Sequence, residues 1–103
     1  MKKVEFYPIK SNIEMPNGLQ WHDENLYVID QKTDNIFKLN KDGKLLDEFS
    51  TICENGSGIT VGDNFLWVAS NGLTEARPFR GSDTHISWIL KIDMNTKELV
   101  SRF

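Results

Sequence analysis

The sequence predicts an all-β protein made of two four-stranded antiparallel units, and three observations carry that prediction. The first is internal repetition. Asn17-Gly18-Leu19-Gln20-Trp21 returns as Ser57-Gly58-Ile59-Thr60-Val61, and Asn25-Leu26-Tyr27-Val28-Ile29-Asp30 returns as Phe65-Leu66-Trp67-Val68-Ala69-Ser70, each forty positions later. The second is composition within those segments, which are short, rich in β-branched and aromatic residues, and bounded by turn formers. The third is the lack of any window with apolar residues at i, i+3, i+4 and i+7 over three turns, so no long helix is predicted.

Taken in order, Lys3 to Ile9 reads as a strand whose Pro8 suits an edge, because proline has no N–H for a central ladder. Residues 17–21, 25–30, 35–40 and 43–49 are then the four strands of the first unit. Asp23-Glu24-Asn25 and Lys41-Asp42-Gly43 serve as polar hairpin turns. The second unit repeats them at 57–61, 65–70, 88–93 and 97–103, with turns at Gly62-Asp63-Asn64 and Met94-Asn95-Thr96. Ile36-Phe37-Lys38-Leu39 and Ile89-Leu90-Lys91-Ile92 stand fifty-three positions apart, so the second unit carries an insertion of thirteen residues between its second and third strands. The predicted organisation is an N-terminal strand and linker at 1–14, a first blade at 15–54, and a second blade at 55–103 with an inserted loop at 71–84. Four antiparallel strands every forty-odd residues is the pattern of a β-propeller blade. A generic β-sandwich would not require the halves to match strand for strand.

The composition is that of a folded chain, with 39% hydrophobic and 26% charged residues. A net charge of −3 without a run of like charges gives no footprint for nucleic acid or an anionic membrane. Apolar stretches are only a few residues long, against the roughly 20 needed to span a bilayer. Two lysines open the chain without an apolar run of signal-peptide length behind them, and Cys53 is alone. The expectation is a cytoplasmic protein.

Met15-Pro16-Asn17-Gly18-Leu19-Gln20-Trp21, followed by Asn25 to Asp30 and Ile36-Phe37-Lys38-Leu39, resembles a blade of the gluconolactonase/regucalcin family. It is similar as well to NHL-repeat and glutaminyl-cyclase-type propellers. Phe65 to Gly72 with Ile89 to Asp93 looks like the next blade, so the resemblance runs from about residue 15 to the end. It implies a ring of about six blades, of which this chain holds two. Repeat units cannot bury their apolar faces alone. The predicted partner is therefore the chain itself, as a homotrimer closing six blades or a homotetramer closing eight. A piece of a longer propeller fits the same pattern. The N-terminal strand would complete a neighbour's blade or cover an exposed edge.

By the same resemblance, the functional face collects Asn17, the Asp30-to-Asp34 and Cys53-to-Ser57 segments, and the insertion, while His22 and Asp63 lie on the opposite face. The insertion points to function without any family, because loops of this length usually bind or cover something. It offers Arg77 and Arg80 as anion donors, Phe79 as a stacking surface, and Asp83 near His85; a clasp between subunits would use Arg77, Arg80 and Glu75 equally well. The predicted ligand-binding residues are Asn17, Asp30, Asn55, Ser57, Asn71, Arg77, Arg80, Asp83 and His85. The resemblance also implies a divalent metal such as calcium at Asn17, through Pro16-Asn17-Gly18. Ser57 stands where the family pattern often has Asp, and a hard cation wants six or more oxygens, several of them charged. Asn-Gly is also a favoured turn pair. Asp83 and His85 would share one face of an extended segment, as a metal or acid–base pair. Cys53 has no basic neighbour in sequence to lower its pKa. The leading reading is a binding or scaffold module for a small polar ligand, sugar or peptide, with no cofactor and no catalytic residue assigned. The alternative is a metal-dependent lactonase-like hydrolase.

Overall fold

The computed structural model describes residues 12–73 and 75–103. Eight strands form two four-stranded antiparallel meanders. The first sheet is β1 (Pro16–His22), β2 (Asn25–Asp30), β3 (Asn35–Leu39) and β4 (Leu45–Ser50). The second is β5 (Gly56–Gly62), β6 (Phe65–Ser70), β7 (Trp88–Asp93) and β8 (Leu99–Arg102). Among the described residues there is no helix, and none long and apolar enough to cross a membrane. The strand predicted at Lys3 to Ile9 lies outside the described residues.

The repeat extends to backbone detail. Asp23 and Glu24 (φ 47° and 64°) and Asp63 and Asn64 (φ 52° and 66°) close the first hairpin of each sheet. Positive φ at both central positions gives the turn whose twist matches that of its strands. A register shift falls between Pro16 and Gly18 in β1, and another between Gly56 and Gly58 in β5. At the turn from third to fourth strand, Asn40 Oδ1 accepts from the N–H groups of Asp42 and Lys44, both at 2.9 Å. Asp93 Oδ1 does the same for Asn95 at 2.8 Å and Thr96 at 2.9 Å.

Alternation along the strands assigns each residue to a face. Tyr27, Ile29 and Ile36 of the first sheet pack with Ile59, Leu66, Val68, Leu90 and Ile92 of the second in one buried cluster that includes Cys53. The sheets come nearest at β1 and β5. There a Cβ on Gly18 would stand 2.8 Å from the Gly58 Cα, so the approach needs glycine. Val28 and Phe37, on the other face of the first sheet, are buried as well.

Candidate functional site

Meander topology brings the start of β1, β3, β5 and β7 and the end of β2, β4 and β6 to one end of the two sheets. Asn17, Gln31, Asn55, Ser57, Asn71 and the insertion all lie there, while the His22 and Asp63 turns lie at the opposite end. The connection from β6 to β7 runs through Ser87, three residues beyond the predicted boundary. His85, at φ 60°, breaks the extended backbone before Trp88.

Each sheet fastens this end with the same latch. Asp30, the last residue of β2, accepts from the backbone N–H of Glu14 at 2.6 Å and Met15 at 3.2 Å, and from those of Lys32 and Thr33 at 2.8 and 3.0 Å. Ser70, its counterpart in β6, accepts from the Glu54 N–H at 2.8 Å. Gln31 N–H donates to Met15 O, and Asn71 N–H to Asn55 O, at matching positions. Burial acts to raise the Asp30 pKa, but the N–H groups of Glu14, Thr33, Met15 and Lys32 together bring it below the ordinary value. Asp30 thus holds the backbone.

Three carboxylates hold the insertion. Asp34, fully buried, accepts from Gly56 N–H at 2.8 Å, Asn55 N–H at 3.3 Å, Arg77 Nε at 2.8 Å and Arg80 Nη2 at 3.3 Å. Asp83 takes both Arg77 Nη1 and Nη2, at 2.9 and 2.8 Å, in the planar fork that arginine favours, and the Arg80 N–H at 2.7 Å. The Arg77 fork holds the Asp83 carboxyl well below the carboxylate range against the effect of burial, and Asp83 and Asp34 in turn raise the Arg77 pKa. Glu54, 1% exposed, accepts from Thr84 N–H and His85 N–H, both at 2.7 Å, and from Thr84 Oγ1 at 2.8 Å. Trp88 Nε1 donates to the same Thr84 oxygen at 2.8 Å.

These bonds decide what the predicted residues can reach. Arg77, read as an anion donor, spends its guanidinium on Asp34, Asp83, Pro78 O and Cys53 O. Arg80 reaches Thr33 O, Thr51 O and Asp34, all within this chain. Asp83 and His85 do not come together as a pair: Asp83 turns to Arg77, and the His85 ring stands edge-on to Phe79 at 4.8 Å between centroids. Beside the exposed Lys32–Glu14 pair, a group of neutral side chains reaches the surface. Asn17 and Asn71 are exposed and Ser57 is half-buried. Asn17 Nδ2 donates to Gly56 O at 3.2 Å, and Ser57 Oγ to Asn71 Oδ1 at 3.4 Å. Gln31 Nε2 donates to Asn55 Oδ1, whose own Nδ2 donates to Leu73 O at 2.6 Å.

Asn17 offers a calcium ion one neutral oxygen, and the carboxylates of Asp30, Asp34, Glu54 and Asp83 at this end are turned to N–H donors. Among the described residues no three His, Cys, Asp or Glu gather around a common point suited to a metal. Burial, with Asp34 nearby, pushes the Cys53 thiol up to about 12, the opposite of an activated nucleophile. The sequence reading did not single out Asp34 or Glu54. Their signal was indirect: an insertion bearing two arginines, and acidic residues in the two earlier loops, 30–34 and 53–57, that the repeat places at the same end. No protein-family model matches this chain, and no curated protein matches it.

Proposed function

We propose that this protein is a binding and scaffold module of the β-propeller type, which takes a small uncharged polar ligand, a sugar or a peptide backbone, at the end that carries the insertion. One observation carries this reading: at that end Asp30, Asp34, Glu54, Arg77 and Asp83 are bonded within the chain and the exposed Lys32 pairs with Glu14 at 3.5 Å, while the amides of Asn17 and Asn71 and the hydroxyl of Ser57 reach the surface as a neutral polar group. Neutral donors and acceptors on a rigid frame suit hydroxyls and amides, and strong electrostatic attraction of an ion would need unspent charge. Phe79, 67% exposed and braced by His85, adds a flat apolar surface beside them.

The two sheets make part of a ring in this reading, six blades from three chains or eight from four. The lactonase-type alternative would need a cation held at Asn17, whose side chain contributes a single neutral oxygen. Titration of the chain with neutral saccharides and short peptides, followed by amide NMR shifts, tests the proposal. Shifts clustered at Asn17, Ser57 and Asn71 that vanish in Asn71→Ala support it. Calcium-dependent lactone hydrolysis would replace it with the enzyme reading.

A further inference from the structure

Equivalent positions of the two repeats differ sharply in burial, and the differences lie on two specific faces. Ile59 of β5 is 8% exposed in the junction between the sheets, whereas Leu19, its counterpart in β1, is 61% exposed on the free face of the first sheet. Ile36 of β3 is fully buried in that junction, whereas its counterpart Ile89 is 45% exposed on the free face of the second sheet. Trp21, at 54%, stands two residues from Leu19 on the same face.

The internal junction is a template for what these faces accept. In it, the inner strand β5 seats Ile59 and Val61 against the first sheet, where Tyr27, Ile29 and Ile36 receive them. The counterparts of the receiving residues are Trp67, Ala69 and Ile89, which with Gly58 and Thr60 line an open trough of about 260 Å³ on the second sheet. The counterparts of the seated residues are Leu19 and Trp21. An added Cβ meets only the Ala69 Cβ at 3.8 Å on Gly58, but the Gly58 Cα at 2.8 Å on Gly18. Gly58 therefore keeps an open side like the one that Gly18 has filled.

We infer that the trough of the second sheet is the docking site for β1 of a second copy of this chain, with Leu19 and Trp21 of that copy seated against Trp67, Ala69 and Ile89. The contact is head to tail: the face that gives differs from the face that receives, so each copy can both dock and be docked upon. Apolar side chains this exposed on both faces are the ordinary mark of such an interface. The inference rests on the propeller-type reading of the repeat.

Light scattering on two surface variants tests it. Leu19→Glu removes the giving face and Trp67→Glu the receiving face, so each variant alone should fall to the mass of one chain, 11.9 kDa. Mixed together they should form a complex of two chains and grow no further, because one working junction remains. Gly58→Ala should also give single chains, with a cooperative unfolding transition at the temperature of the Leu19→Glu single chains, which separates lost docking from lost folding. A wild type that stays at one-chain mass, a Leu19→Glu chain that assembles normally, or a mixture that stays at single chains would overturn the inference. Wild-type assemblies that grow without limit would support this junction yet remove the closed ring.

Discussion

Asp34 and Arg77, forty-three positions apart, form a 2.8 Å ion pair in which their side chains are 0% and 8% exposed. A buried charge that loses its partner costs far more than a surface one, because no water replaces the lost bonds. Arg77→Met should therefore destabilise the chain by about 3–5 kcal/mol in urea unfolding. Arg77→Lys keeps the charge but cannot fork onto Asp83 while reaching Asp34, and should still lose about 1–3 kcal/mol. Loss below about 1 kcal/mol for the methionine variant would mean that the pair is no more than a surface contact.

Acid should loosen the same cluster. The Asp83 pKa is lowered in the fold, so its contribution is present above the unfolded value of 3.8 and is lost as pH falls from there through the folded value. Asp30 is lowered too and acts in the same direction. The urea midpoint should hold between about pH 7 and 5 and fall steeply below about pH 4. Asp83→Asn should flatten part of that fall. A midpoint as high at pH 3 as at pH 7 would contradict the assignment.

Cys53 should be silent toward alkylation. With its thiol buried and raised to about 12, almost none is thiolate at mild alkaline pH. Iodoacetamide should label the unfolded chain readily and the native chain only at the rate of unfolding, as mass spectrometry would read. Native labelling at the rate of a free thiol would show the site to be open.

Gly72, at φ 88°, turns the chain out of β6 into the insertion, and a Cβ there would lie 2.5 Å from the Ile86 carbonyl carbon. Gly72→Ala combines a left-handed backbone with a backbone clash and should cost about 1–3 kcal/mol by thermal or urea unfolding. A neutral result would mean that the two ends of the insertion can separate freely.

The strands were legible because their information is local. Leu26 to Ile29 and Phe65 to Ala69 are short β-branched and aromatic runs closed by two-residue polar turns, which names the element but not a buried face. Tyr27 to Asp30 are indeed buried on both sides of the sheet. The anchoring of the insertion was not, because its bonds are remote in sequence. Arg77 meets Asp34 across 43 positions, and Thr84 meets Glu54 across 30. Arginine and glutamate are ordinarily at the surface, so nothing in their neighbours' pattern marks them as buried. The latch at Asp30 was hidden differently, since its partners are backbone N–H groups that any sequence supplies.

That an insertion borne by the second sheet is pinned to Asp34, Thr33 and Thr51 of the first has a mechanical consequence. Stacked repeats ordinarily open one by one, with only nearest-neighbour contacts to resist. Here the second repeat cannot come away without tearing a guanidinium from a buried carboxylate in the first. The pair should therefore melt as one cooperative block, indivisible in a way that its twofold repetition conceals.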